Sequence, residues 1–259
     1  MNPRLNKKVA IVTGASEGIG QAIAELFCQE GALVCVADIN EALGHKVVES
    51  LIENGGKAIF VKTDVADIDS VKNMVKETVK LLGEPNILIN NAGIIYQNES
   101  PLDTTQEQWD KSFNVNLDGM WHCSKEVLPY MQKAGKGSIV NIGSVHSFKI
   151  VPNHFPYAVT KHAIIGLTKN LAVEFGEFNI RVNALCPGMV ETPAAFKWFA
   201  ESEDPAAARK KLGDIHPLRR NASCEEIAYP ALFLAGEESS FMTGQSMIVD
   251  GGRSVVYHL

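Results

Sequence analysis

Short apolar runs, rich in β-branched residues, alternate with longer segments of helical periodicity along most of the chain. Such runs are typical of strands buried on both faces, and the longer segments suit helices that cross over between parallel strands. The alternation therefore predicts an α/β fold with one doubly wound, seven-stranded parallel sheet. The predicted strands cover residues 9–12, 33–37, 58–62, 87–90, 138–142, 181–185 and 246–249.

The spacing of apolar side chains predicts six helices between these strands. In the first, Ile19, Ile23 and Phe27 share one face, and Gly31 follows as a C-terminal cap. The alternation breaks after the sixth strand, among prolines, aromatic residues and charges, and we interpret residues 188–218 as a substrate lid. The helices are predicted at residues 19–30, 41–53, 68–82, 106–131, 157–175 and 225–234, all within a single domain of residues 1–259.

Composition argues against several classes of partner. Of the 259 residues, 46% are hydrophobic, which is enough for one large core. The formal net charge is −6, with acidic and basic residues interleaved, so neither nucleic acid nor a membrane surface is the expected partner. The apolar run near the N-terminus is too short for a signal peptide or a membrane span. A cytoplasmic location is therefore expected.

Cysteine and histidine spacing predicts neither disulfides nor a metal site. The five cysteines are scattered without C-x-x-C spacing and suit buried thiols in a reducing compartment. The seven histidines lack the spacing of metal ligands. The catalytic groups are therefore expected among other residues, and the expected partner is a small-molecule substrate.

The segment T-G-A-S-E-G-I-G, which ends at Gly20, joins the first strand to the first helix. Glycines let the backbone approach a pyrophosphate, and the helix directs free N–H groups and its positive dipole end at it. An ordinary strand-to-helix turn would explain the glycines alone, but the flanking strand and helix favour a dinucleotide. The residues predicted to bind it here are Gly14, Ser16, Glu17, Gly18, Ile19 and Gly20.

Asp38 and Ile39 stand at the end of the second strand, where a carboxylate can accept hydrogen bonds from the adenosine ribose. The charge of Asp38 would repel a 2′-phosphate, and Glu17 adds negative charge nearby. The cofactor is therefore predicted to be NAD, with NADP less favoured. In the other interpretation Asp38 only caps the following helix.

Polar residues also follow the third and fourth strands. Asp64 and Val65 end the third, where they can contact adenine. Asn90 is predicted to brace the sheet, while Ala92 and Gly93 leave room for the ribose.

Tyr157 and Lys161 lie one turn apart at the start of a predicted helix, and Ser144 follows the fifth strand. Lowering a tyrosine pKa by three units takes about 4 kcal/mol, and an ammonium 4–5 Å away supplies roughly 3–4 kcal/mol. Tyr157 is thus predicted as general base or acid, with Ser144 holding the reacting oxygen. Asn116 is predicted to disturb its helix and hold a water leading to Lys161. Alone, each residue has an ordinary structural explanation.

These motifs, with Pro187-Gly188 after the sixth strand, resemble the short-chain dehydrogenases/reductases over essentially the whole chain. The resemblance implies a Rossmann-type fold, an NAD(P) cofactor, a homotetramer and the catalytic set Asn116, Ser144, Tyr157 and Lys161. It also implies that Lys161 holds the nicotinamide ribose. It further assigns to the cofactor Asn91, Gly93, Tyr157, Pro187, Gly188, Val190 and Thr192.

Three stretches resemble the branch of sugar 1-dehydrogenases that act on L-fucose and related pyranoses: S-V-H-S-F-K, F-P-Y-A-V-T-K-H-A and the tail D-G-G-R-S-V-V-Y-H-L. A pyranose needs polar partners for its hydroxyls and an aromatic surface for its C–H face. Candidate substrate residues are His146, Lys149, His154, Glu191 and Trp198, each of which also suits a capping, solvated or core role.

Two other functions remain open from the sequence. A reductase of a non-sugar ketone, such as a 3-oxoacyl thioester, a diketone or a cyclic ketone, would suit the basic residues Lys197, Arg209, Lys210, Lys211, Arg219 and Arg220. A non-catalytic NAD-binding regulator would be expected to lack the Ser, Tyr and Lys set. The apolar end of the tail, residues 257–259, is predicted to pack on its own core or on a neighbouring subunit.

Overall fold

Seven strands form one sheet in the computed structural model, which describes residues 3–98 and 100–257. Each begins within one residue of its predicted start, and all pair in parallel. The strands are β1 Val9–Thr13, β2 Leu33–Asp38, β3 Lys57–Lys62, β4 Ile87–Asn90, β5 Gly137–Ile142, β6 Ile180–Pro187 and β7 Ser246–Val249. Their spatial order is β3-β2-β1-β4-β5-β6-β7. The chain first adds strands on one side of β1 and then, from β4 onward, on its other side. The predicted doubly wound sheet is confirmed.

Helices cover both faces of this sheet. Their bounds are α1 Gly18–Gln29, α2 Glu41–Glu53, α3 Ile68–Leu81, α4 Gln106–Phe113, α5 Gly119–Ala134, α6 Tyr157–Phe175, α7 Pro193–Ala200, α8 Pro205–Asp214 and α9 Glu225–Ala235. The helix predicted at 106–131 is two helices, because a π-helical turn, Asn114–Asp118, separates α4 from α5. Helices α7 and α8 were not predicted, and both lie within residues 188–218.

Two apolar layers hold the helices against the sheet. On one face Phe27 of α1 and Ile227 of α9 pack against the strands, and on the other Met74 of α3 and Val127 of α5 do so. These side chains are completely buried, and burying each contributes about 1.5–3 kcal/mol. The predicted site residues lie at or just after the carboxyl ends of the strands, at one edge of the sheet.

No helix within the described residues is long and apolar enough to cross a bilayer. Tyr257 is exposed, and the prediction for the last residues of the tail, 258–259, lies outside the described residues.

Candidate active site

The glycine turn after β1 is shaped by its lack of side chains. Gly14 and Gly18 both have φ of +62°, a conformation that favours glycine. A Cβ on Gly14 would lie 2.8 Å from Ala92 Cα, and one on Gly20 would collide with the Gly14 carbonyl. Helix α1 begins at Gly18, so its free N–H groups face the turn. The turn has the geometry of an anion cradle.

Asp38 is fastened to this turn. Its Oδ2 accepts a hydrogen bond from the Ser16 N–H at 3.0 Å, and its Oδ1 accepts one from the Asn40 N–H at 2.8 Å. The side chain of Asn40, not that of Asp38, caps α2. The capping interpretation of Asp38 is therefore wrong, and the half-buried carboxylate lies beside the glycine turn. Ile39, next to it, is exposed.

The Asn90–Asn91 pair after β4 braces the sheet edge. The Asn90 side chain donates to Asn141, Ser124 and the Met120 carbonyl, which confirms its predicted bracing role. The Asn91 amide donates to the Thr13 and Gly14 carbonyls at 3.0 and 2.9 Å. Asn91 thus supports the glycine turn from behind. Ala92 and Gly93 follow it beside the turn, half-buried and exposed respectively.

Val65 and Asp64 differ in what they can offer a nucleotide. The Val65 side chain is buried in the apolar layer, and its carbonyl is 3.0 Å from a ring nitrogen of His122. The main-chain atoms of Val65 are therefore the ones best placed to meet a cofactor, and its assignment to the cofactor stays a prediction. Asp64 is exposed, with Oδ1 accepting from the Ala66 N–H.

Asn116 lies in the π-helical turn between α4 and α5, so the predicted disturbance of the helix is confirmed. Its Oδ1 accepts from the Ile94 N–H at 2.8 Å, and its Nδ2 donates to the Ile94 carbonyl and to Thr160 Oγ1. Both amide hydrogens are engaged, so the amide cannot donate to the water that was predicted. The side chain instead ties the segment after β4 to α6.

Ser144 begins a short 3₁₀ turn that is capped reciprocally. The Ser144 hydroxyl accepts from the His146 N–H, and the Ser144 N–H donates to Ser147 Oγ. The Ser147 hydroxyl in turn donates to the Lys161 carbonyl at 2.7 Å. Ser147 therefore joins the Ser144 turn to α6. Sequence reasoning missed it, although the S-x-x-S spacing of a capping box was present.

Tyr157, Ser144 and Lys161 meet at the carboxyl end of β5. The Ser144 hydroxyl lies near enough to the phenol to lower its pKa, and Lys161 Nζ lies 5.4 Å from the centre of the tyrosine ring. Lys161 is buried, and its Nζ donates to the Ile142 carbonyl at 2.7 Å. An ammonium group has two further hydrogens, which are sufficient for ribose hydroxyls.

Burial dominates the pKa of both titratable groups. It raises the pKa of Tyr157 to about 12, against the opposing effect of the Ser144 hydrogen bond, and lowers the pKa of Lys161 to about 8. The expected lowering of the tyrosine pKa by lysine is therefore wrong for the protein without cofactor. The lysine charge is directed at the Ile142 carbonyl, and the cost of burying a phenolate is larger.

The rings of His146 and His154 pack against each other, tilted by 38°, beside the phenol. Their ring centres are 4.7 Å apart, and the His146 ring meets the Tyr157 ring edge-on at 5.6 Å. His146 is buried, and its Nδ1 has no hydrogen-bond partner among the described residues. Burial, reinforced by the neighbouring His154, His162 and Lys161, lowers the pKa of His146 to about 4. A neutral imidazole whose buried Nδ1 lacks a hydrogen-bond partner among the described residues thus adjoins Tyr157.

The other three candidate substrate residues do not join this group. The Glu191 carboxylate is engaged by Arg209, and its predicted contact with substrate stays a prediction. Trp198 lies on α7, half-buried, with its ring 5.5 Å from that of the buried Phe199. Lys149 is exposed.

The chain from β6 to α7 passes directly over the glycine turn. A Cβ on Gly18 would lie 3.5 Å from the side chain of Thr192, and Thr192 caps α7 by accepting from the Ala195 N–H. Val190 is buried in the core, so only its main chain can face a ligand. Pro187 ends β6, and the Gly188 N–H donates to Val249 of β7.

Known proteins resemble this chain over nearly its full length. The family model described as enoyl-(acyl carrier protein) reductase matches residues 14–254. The 3-oxoacyl-(acyl-carrier-protein) reductase FabG of Thermotoga maritima is 40% identical over 249 residues, which cover 96% of this chain and 98% of that protein.

Two solved structures share the whole fold. The aldohexose dehydrogenase AldT of Thermoplasma acidophilum, in ligand-free form, has a TM-score of 0.90 and 35% identity, covering 100% of this chain and 98% of its own. Levodione reductase has a TM-score of 0.94 and 30% identity, covering 98% of this chain and 100% of its own.

A doubly wound sheet with these relatives defines an oxidoreductase of the nicotinamide-dependent class. The chain belongs to the short-chain dehydrogenase/reductase family. It is therefore an enzyme, and the alternative of a non-catalytic regulator is set aside.

Proposed function

We propose that the enzyme oxidises the C1 hydroxyl of an aldopyranose, of the L-fucose type, to an aldonolactone with NAD. The observation that carries this proposal is the imidazole pair His146–His154 stacked beside the Tyr157 phenol. Polar atoms at this distance from the proposed base suit a substrate with several hydroxyls. The likeness to an aldohexose dehydrogenase supports the same class.

In this proposal Tyr157, as phenolate, accepts the proton of the anomeric hydroxyl. Ser144 donates a hydrogen bond to the same oxygen and keeps it near the phenol. Bound NAD supplies the acceptor for the hydride that leaves C1 and adds a positive charge next to the phenol. That charge matters because the pKa of Tyr157 is otherwise raised to about 12, chiefly by burial. Lys161, whose Nζ lies 5.4 Å from the centre of the tyrosine ring, would favour the phenolate only together with the cofactor, since without it the pKa of Tyr157 stays raised.

NAD is preferred over NADP in this proposal because of Asp38. The carboxylate is held by the Ser16 N–H, so it cannot swing away from the adenosine ribose without losing that bond. A 2′-phosphate there would face a like charge, which costs several kcal/mol. Steady-state kinetics with both cofactors test the point, and a higher kcat/KM with NADP would contradict it.

A second candidate is the reduction of a cyclic or other apolar ketone. Apolar side chains are exposed on the segments that follow three adjacent strands: Ile95, Phe148, Ile150, Phe196 and Leu218. The likeness to levodione reductase fits such a surface. An acyl-carrier substrate is less favoured, because three of the basic residues are neutralised in the pairs Arg209–Glu191, Lys210–Asp214 and Arg220–Glu226.

A substrate screen separates the two candidates. Purified enzyme with NAD is tested against aldopyranoses and secondary alcohols, and with NADH against cyclic ketones and diketones, by NADH absorbance. The sugar proposal expects oxidation of at least one aldopyranose, with the lactone detected by mass spectrometry. Turnover confined to ketones would replace it with the second candidate.

A further inference from the structure

A forked ion pair joins two elements that flank the proposed cofactor cleft. Arg209, on α8, forms a two-pronged contact with Glu191, in which Nε to Oε1 and Nη2 to Oε2 are both 2.6 Å. Asn221 donates to the same carboxylate at 3.2 Å. This fork lowers the pKa of Glu191, so the carboxylate stays charged.

Glu191 stands one residue before Thr192, which lies against Gly18 of the glycine turn. The backbone on both sides of Glu191 is bonded to a second segment: Glu191 N–H donates to the Ala222 carbonyl, and Ala222 N–H donates to that of Met189. Residues 189–192 therefore form a short strap across the glycine turn. Arg209 binds this strap through its ion pair with Glu191.

The strap is tied to α8 at a second point. His216, buried just beyond the end of α8, accepts from the Met189 N–H at 3.4 Å, and its other ring nitrogen is 2.8 Å from the Leu212 carbonyl. One tie is thus buried and uncharged, and the other is ionic. The Arg209 side chain is 54% exposed, so water and salt reach the ionic tie and it can break and reform readily.

We propose that Glu191 and Arg209 are positioning residues whose ion pair holds the 189–192 strap closed over the glycine turn and sets how long the dinucleotide stays bound. The proposal rests on the proposed NAD chemistry and adds a role for two residues outside the catalytic group. When the pair is broken, the backbone bonds with Ala222 and the His216 contact remain, so Thr192 is held less firmly against Gly18 and the cofactor leaves sooner.

The test uses Glu191→Gln, Arg209→Met and the double variant, with NADH binding followed by fluorescence and NADH release by stopped flow. Each single change is expected to raise Kd about 3- to 10-fold, mainly through faster release. The double variant is expected to match the singles, because the pair is lost only once. Arg209→Lys, which keeps the charge without the fork, should fall between.

Glu226→Gln is the matched control. Glu226 forms the same kind of fork with Arg220, also with two contacts of 2.6 Å, but it caps the start of α9 and lies outside the strap. NADH affinity in this variant should stay within about twofold of the unmodified enzyme.

Two results would overturn the inference: unchanged NADH affinity and release in Glu191→Gln and Arg209→Met while their melting temperature falls, or an equal loss of affinity in Glu226→Gln. If the unmodified enzyme bound neither NADH nor NADPH, the proposed function and this inference would fail together. Normal binding by the unmodified enzyme and by every variant would remove only the inference.

Discussion

Burial shifts the pKa values of Tyr157 and Lys161 in opposite directions. It favours the neutral phenol of Tyr157 and also the neutral amine of Lys161. A working proton acceptor therefore needs positive charge brought close to it when the cofactor binds. At the residue scale, the ligand-free chain already brings the catalytic residues together, but Tyr157 is not yet ionised.

Replacing Tyr157 by Phe is expected to lower kcat about 10²- to 10⁴-fold, because the proton acceptor is lost while the ring volume is kept. NADH affinity should change less than about threefold. Tyr229→Phe serves as the control, since Tyr229 is exposed on α9. Kinetics and NADH titration check both variants, and substantial activity in Tyr157→Phe would contradict the assigned role.

His146 should make folding stability depend on acid pH. Its pKa is about 4 in the folded chain against an ordinary value of 6.5, so between these values the unfolded chain binds the proton and the folded chain does not. Stability is therefore complete above about pH 6.5 and falls as the pH drops to about 4, by about 1–2 kcal/mol once partial solvent contact is allowed for.

Denaturant titrations at several pH values check this effect. His146→Gln should flatten the acid slope of the unfolding free energy, whereas His45→Gln, at an exposed histidine of α2, should leave it unchanged. An identical slope in His146→Gln and the unmodified enzyme would refute the assignment.

The formation of helices α7 and α8, near the site, depends on the capping residues at their ends more than on their length. Thr192 and Asp204 cap α7 and α8, and each is followed by a proline in the first helical turn. Those prolines were interpreted as breaks in the pattern, although proline at a helix start is favourable. The long strand and helix patterns were predicted within a few residues, and a disturbance was predicted at Asn116, but the division of that helix into α4 and α5 was not.

Gly14→Ala should impair both folding and cofactor binding. The positive φ costs about 1–2 kcal/mol, and the new Cβ would lie 2.8 Å from Ala92 Cα, so the turn must shift. NADH affinity is expected to fall at least about 10-fold, since the cradle depends on close backbone approach.

Gly135→Ala is the matched control for this change. Gly135, at the end of α5, has a similar φ of +66°, but a Cβ there meets nothing within 4 Å. It should lose about 1 kcal/mol of unfolding free energy and keep its NADH affinity. Equal NADH binding by both variants would show that the turn is not the cofactor cradle.

At the scale of the whole molecule, exposed apolar residues on α5 and α6 suggest a shared surface. Trp121 and Val173 are exposed there, and Trp121, Leu167 and Glu174 line a shallow depression between the two helices. A solvated apolar patch of this kind marks a contact site. We propose that it is one interface of a homotetramer.

Light scattering should give a mass four times the 28.2 kDa of the chain. Val173→Asp is expected to yield smaller species, because an unpaired charge cannot be buried at an interface without large cost. Ile52→Asp, at an exposed isoleucine of α2, should leave the mass unchanged. A monomeric mass for the unmodified enzyme would contradict the proposal.

The sequence by itself determined the sheet, the glycine turn and the Ser144, Tyr157 and Lys161 set. These follow from apolar periodicity and from residue types at fixed spacing, both of which are local properties of the chain. The apolar periodicity has a physical basis, because strands and helices must bury apolar side chains whatever surrounds them.

Only the tertiary structure decided what those residues and their neighbours can do. Packing buried Val65, paired Glu191 with Arg209 and occupied the amide of Asn116. These outcomes depend on which residues, far apart along the chain, are brought into contact. The pKa of Tyr157 likewise depends on how much water folding removes, a quantity that no spacing along the sequence contains.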